Sequence, residues 1–100
     1  MAKKSMIARE IKRKKLIQKY HTERKKIKSK LSNKLNFIEQ IELQKELQKL
    51  PKNSTPCRRR NRCWKTGRSR GFYKDFGLSR HVLREMSHNC LLPGVIKASW

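Results

Sequence analysis

Residues 57–84 read CRRRNRCWKTGRSRGFYKDFGLSRHVLR. The stretch packs Arg58, Arg59, Arg60, Arg62, Lys65, Arg68, Arg70, Lys74, Arg80 and Arg84 around Trp64, Phe72, Tyr73 and Phe76, with Asp75 as its one acid. Cations alone would make a solvated, self-repelling loop. Cations interleaved with flat rings and spaced by Gly67, Gly71 and Gly77 suit a polyanion with exposed bases. Arg bridges phosphates with two parallel bonds or stacks on a base. Aromatic rings stack on unpaired bases. Glycines let backbone come close to a ligand. The competing reading is a small aromatic core under an incidental basic surface.

The rest of the chain agrees with this stretch in charge but not in kind. Over 100 residues there are 28 Lys plus Arg against 7 acids, a formal charge of +21, and 35% hydrophobic residues. One domain is the most that length allows, and the apolar share permits only a local core. A free globule of that charge repels itself, whereas a phosphate-rich partner relieves the repulsion and releases counterions. No run of about 18 apolar residues is present, so no spanning helix is predicted. The opening MAKKSMIAREIKRKK has no apolar stretch that would make it a secretory signal. The three cysteines, Cys57, Cys63 and Cys90, are an odd number and argue for a reducing compartment.

Cation type changes along the chain. Residues 1–56 hold 14 Lys and 3 Arg, and residues 57–100 hold 3 Lys and 8 Arg. Lys is a mobile, hydrated point charge, while Arg is a planar fork. The first half therefore reads as neutralisation of a phosphate backbone, and the second as docking to a defined shape. Lys12, Arg13, Lys14 and Lys15 are the first-half candidates. Arg58, Arg59, Arg60, Arg62, Trp64, Lys65, Arg68, Arg70, Tyr73, Lys74, Arg80 and Arg84 are those of the second.

The fold class is mostly α. Extended basic helices occupy residues 1–50, a linker covers 51–57, and a small loop-rich module covers 58–100. Residues 5–31 contain no Gly or Pro and read as a helix capped by Ser5. Their apolar pairs, Ile7 with Ile11, Leu16 with Tyr20 and Ile27 with Leu31, leave a broken stripe. Such a helix is not stable alone, and a bend near 21–22 or 29–32 is expected. Residues 36–50 form a second helix, with Asn36 and Glu39 as a capping box and Pro51 as its stop, and it should pack on the first as a hairpin. Pro51 and Pro56 predict an irregular linker. Within 58–78, short strands are expected at 62–65 and 72–74. A third helix spans about 79–89, starting at Ser79 and ended by Pro93 and Gly94, with a tail to Trp100. Part of this fold should depend on RNA.

Metal and catalytic constellations are weak. Cys57 and Cys63 are six apart, too far for a close zinc pair, and the third residue after Cys63 is Thr66. His81, His88 and Cys90 complete no standard ligand spacing. Cys63 and Cys90 instead read as small packing residues. Cys63 with His81 or His88 lacks a shielded pocket for nucleophilic catalysis. No enzyme, metal or cofactor is expected.

The order Arg62-Cys63, twelve residues, then Phe76-Gly77-Leu78-Ser79-Arg80 and Arg84, resembles the signature of the small-subunit ribosomal protein fourteen family. The stretch GRSRGFYKDFGLSRHVLREM, residues 67–86, strengthens the likeness, and MAKKSMIAREIKRKKLIQKYH with LLPGVIKASW resembles plastid members most. In the family's zinc form, the four ligand positions would fall on Cys63, Thr66, Ser79 and Val82. Three of these are not cysteines, so the chain is similar to the zinc-free form. The resemblance implies a structural constituent of the small subunit, bound in its head to the 3′ domain of the ribosomal RNA, assisting assembly of the decoding-site region. It implies small-subunit proteins three, ten and nineteen as neighbours. A ribosomal protein without a removable leader is made where it works. That points to the plastid stroma, with a bacterial cytoplasm or a mitochondrion as alternatives. The alternative function is a cationic amphipathic peptide acting on membranes or acidic proteins.

Overall fold

A computed structural model of the chain describes residues 2–100. It is mostly helical, with three helices and one two-stranded sheet: α1 (Lys4–Leu31), α2 (Phe37–Lys49), β1 (Phe72–Tyr73), β2 (Leu78–Ser79) and α3 (Arg80–His88). Two compact units are present. One contains residues 8–59. The other joins residues 1–7 to residues 60–100.

α1 is one unbroken helix of 28 residues, about 42 Å long at 1.5 Å per residue. The amides of Met6 and Ile7 both donate to Lys3 O, so the helix begins before Ser5. Ser5 is therefore not the cap. The bend expected near 21–22 does not occur, because nothing there interrupts the helix. At its C-terminal end Ser29 Oγ donates to Lys26 O at 2.8 Å and Ser32 Oγ donates to Ser29 O at 2.7 Å. Lys28 and Lys30 stand where the helix dipole favours cations.

The covered face of α1 is more continuous than its apolar residues alone suggest. Glu10, Arg13, Ile17, Tyr20, Arg24, Ile27 and Leu31 recur at alternating intervals of three and four, and all are at least half-buried. Charged residues bridge the gaps between the apolar pairs. Arg13 Nη1 donates to Glu10 Oε2 at 3.3 Å. Arg24 is 8% exposed. Its Nε and Nη2 donate to Ser54 Oγ at 2.9 and 2.8 Å, and Nη2 donates to Pro51 O at 3.1 Å. Ser54 Oγ in turn donates to Pro51 O at 2.5 Å. This buried guanidinium ties the middle of α1 to the segment that leaves α2.

α2 starts where Glu39 Oε2 accepts from the Asn36 amide at 3.3 Å, one arm of a capping box, and it ends before Pro51. Leu43, Leu47 and Leu50 form its half-buried stripe. Phe37 and Ile38, counted in the sequence as part of the same face, are 77% and 70% exposed. The segment after α2 is not irregular. Lys52–Ser54 and Pro56–Arg58 are single turns of 3-10 helix. Each proline stands at a turn's start, where its missing N–H costs no bond.

The second unit is built on three fully covered apolar residues, Cys63, Leu78 and Val82, flanked by Leu83, Met86 and Leu92. β1 and β2 pair antiparallel, Phe72 with Ser79 and Tyr73 with Leu78. The strand expected at 62–65 is absent. That segment turns instead, with the Gly67 amide donating to Cys63 O at 2.8 Å and the Cys63 amide to Arg68 O at 2.9 Å. α3 ends earlier than Pro93 and Gly94 would have it. Cys90 takes a left-handed conformation (φ 55°), and the Leu91 amide donates back to Met86 O at 2.9 Å. That closes a Schellman-type stop. It also leaves Cys90 exposed, not packed.

Gly67 shows why the module needs glycine. Its φ is +75°, and a Cβ there would lie 2.7 Å from Ile7 Cδ1. Gly67→Ala should therefore destabilise the module by about 2 kcal/mol, from strain and clash together. Adding Ile7→Ala should return only the clash part, as read in denaturant melts of the full chain. Ser54→Ala should cost about 1–3 kcal/mol, because it strips a buried guanidinium of its acceptor. Faster proteolysis between α1 and residue 56 would report that loss.

Candidate nucleic-acid interface

Three of the four aromatic residues of residues 57–84 face outward, and Phe72 is half-buried. Trp64 is 69% exposed, Tyr73 50% and Phe76 42%, while no aromatic residue is among the buried core. This decides against the aromatic-core reading. Arg58, Arg59, Arg60, Lys65, Arg68, Arg70, Lys74, Arg80 and Arg84 are also exposed. Arg58 and Arg59 belong to the unit of residues 8–59, and the others to the C-terminal unit. In that unit the hairpin turn, the loop 63–71 and α3 present rings and guanidinium groups from a common small core.

Two of the sequence candidates turn toward the protein itself. Arg62 is half-buried, and its Nη1 donates to Gly67 O at 3.0 Å. Arg13 is half-buried in its pair with Glu10. Lys12, Lys14 and Lys15, beside Arg13 on α1, are exposed. The sequence reading missed Arg24 as a structural residue, because nothing in a run of lysines marks one cation for burial. It also missed His88 and Lys97, which line a groove with Tyr73, Arg80 and Arg84. The spacing of positions 80, 84 and 88 on α3 was the available signal.

The glycines work for the chain before any ligand. Gly67 makes room for Ile7. A Cβ at Gly71 would lie 3.1 Å from Arg80 Cδ, so Gly71 (φ +57°) provides the bed for the Arg80 stem. The Arg80 amide donates to Gly71 O at 2.7 Å. Together these seat the start of α3 and the Arg80 stem against Gly71.

Cys63, Thr66, Ser79 and Val82 do meet. Burial pushes the Cys63 thiol up. The nearby Thr66 hydroxyl and the backbone amides of Ser79, Thr66 and Lys65 favour the thiolate and outweigh it, bringing the pKa from 9.0 down to about 6. Thr66 Oγ1 is buried and meets no partner at ordinary hydrogen-bonding geometry. One thiol, two hydroxyl-bearing residues and a valine do not make a zinc donor set, and Val82 belongs to the apolar core. No cluster of His, Cys, Asp and Glu able to hold a metal occurs among the described residues. Among them too, no helix is long and apolar enough to cross a membrane.

The folded thiol has the lower pKa, so its thiolate adds stability that is full above pH 9.0 and is lost as pH falls to about 6. In a chain carrying Cys57→Ser and Cys90→Ser, the ultraviolet thiolate signal should have its midpoint near pH 6, as the four donors require. Thr66→Val should raise that midpoint. A midpoint at the ordinary thiol value would contradict the donor geometry.

Comparison with known proteins gives a consistent answer. Residues 46–99 match the family model described as ribosomal protein S14p/S29e. Over the full length of both chains, the sequence is 82% identical to small ribosomal subunit protein uS14c of Gracilaria tenuistipitata var. liui. It is 65% identical to the protein of that name in Porphyra purpurea, again over both full lengths. Small ribosomal subunit protein uS14 of Trichodesmium erythraeum (strain IMS101) is 59% identical, also end to end.

Proposed function

This chain belongs to the ribosomal protein S14p/S29e family, and from that premise we propose that it binds the 3′ domain of the small-subunit ribosomal RNA, in the head, and helps assemble the decoding-site region. At the coarser level it is a structural constituent of the small ribosomal subunit, not an enzyme, and its partners are ribosomal RNA and other ribosomal proteins. Its relatives of the uS14c type assign it to plastid ribosomes. Small-subunit proteins three, ten and nineteen are its proposed neighbours.

The observation that carries RNA binding is the outward placement of Trp64, Tyr73 and Phe76 among exposed arginines. Water-exposed rings beside guanidinium groups are a stacking surface for unpaired bases, with forks for the adjoining phosphates. Residues 1–50 neutralise RNA backbone, residues 58–100 dock to a defined RNA shape, and 51–57 joins them. The same division makes the helices partly dependent on RNA for their fold. Asp75 is the one acid of residues 57–84, so little of the charge beside the exposed rings is offset. A cationic peptide on membranes would instead need a continuous apolar face, which α1 lacks.

One titration tests this reading. The full chain should bind a 3′-domain RNA fragment and lose about a thousandfold or more in affinity between roughly 50 and 200 mM salt. Helical circular dichroism should rise as the RNA is added. Arg68→Lys with Arg70→Lys should weaken binding about tenfold, since the forks are lost and the charge kept. Lys14→Arg with Lys15→Arg should stay within about twofold, because point charges on a backbone interchange. Equal binding by the two double variants would show that charge alone matters. Tighter binding to anionic vesicles than to RNA would favour the membrane reading.

A further inference from the structure

α3 presents two different faces. Val82 closes the core, while Arg80 and Arg84, four apart, share the opposite side. Between that side and the tail lies a groove of about 430 Å³. Tyr73 lines it from β1, paired across the hairpin with the fully buried Leu78. Leu83 and Val95 give the groove apolar surface, and Lys97 adds a third cation from the tail. Inside, Ser87 Oγ donates its proton to Leu83 O at 2.7 Å, which leaves its lone pairs to accept. His88 lines the groove as well. None of the lining residues is acidic.

We propose that this groove holds one unstacked nucleotide of the ribosomal RNA, its base against Tyr73 and Leu83 and its flanking phosphates on Arg80 and Arg84. The inference rests on the RNA-binding reading above and deepens it. A duplex backbone would use the cations and leave the ring and the apolar surface idle. An apolar ligand would leave three cations unmatched. A single nucleotide is the occupant that uses both, and the volume lies within the range of small-ligand sites. Ser87 and His88 then face the edge of the base, where hydrogen bonding can choose among bases. Gly71 leaves room for the Arg80 stem, which a side chain there would crowd.

The test uses the full chain and its 3′-domain RNA fragment. Tyr73→Leu keeps every charge and an apolar side chain, so it should weaken binding about tenfold or more without changing the salt slope. Tyr73→Phe should stay within about twofold, since stacking needs the ring and not the hydroxyl. Ultraviolet crosslinking of the wild-type complex should attach a nucleotide to Tyr73 or to the peptide holding His88. A far-ultraviolet circular dichroism spectrum matching the wild-type chain reports that each variant is still folded. Wild-type affinity in a folded Tyr73→Leu chain overturns the nucleotide site while leaving RNA binding intact. So does a crosslink in assembled subunits from this groove to a neighbouring protein. Failure of the wild-type chain to bind the fragment would overturn the RNA reading itself.

Discussion

Three buried apolar residues, Cys63, Leu78 and Val82, must hold a module inside a chain of formal charge +21. A fully buried Leu or Val contributes about 1.5–3 kcal/mol, whereas each ordered residue costs about 1–2 kcal/mol of backbone entropy. A core this small therefore stabilises a short hairpin and one helix, and nothing as long as α1. Everything beyond it is secured by particular polar contacts or left for a partner to hold. This shortage of core explains why the helices are long and exposed, and why the charges are spread outward.

The polar contacts have a common logic. A cationic chain with few acids turns to hydroxyl and carbonyl oxygens as acceptors for its buried guanidinium groups. Arg24 uses Ser54 and Pro51, and Arg62 uses the Gly67 carbonyl. Such acceptors fix a guanidinium in direction without neutralising it. The surrounding potential stays positive, which suits a protein that must attract phosphate. Cys63 is the reverse case, a buried thiol whose charged form is favoured by the nearby Thr66 hydroxyl and three backbone amides.

The arginines of the C-terminal module sit on short elements, the hairpin, the loop 63–71 and α3, around the Cys63 core. The lysines of α1 project from a long helix into solvent. A planar fork suits a defined phosphate geometry, whereas an ammonium is a point charge. α2 stands apart from both, near neutral in charge and with Phe37 and Ile38 exposed.

Much of this protein was written in its local sequence. The helix from residue 4 to 31 follows from the absence of Gly and Pro, and α2 from Asn36, Glu39 and Pro51. The start of α3 at Ser79 follows from residue types at short spacing. The interleaving of rings and arginines already indicated RNA. Other features needed the folded chain, because they join residues far apart in sequence. Ile7 against Gly67 placed the first residues with the C-terminal module. Arg24 on Ser54 turned one cation among many into a structural one. Cys90 ended α3 through a backbone conformation that no side-chain pattern signals. The rings could have pointed inward or outward by composition alone. In the folded hairpin Tyr73 is left half-exposed, lining a groove with Arg80 and Arg84. Spacing along a chain determines which elements form, but only packing between distant residues decides which of their faces remain free to bind.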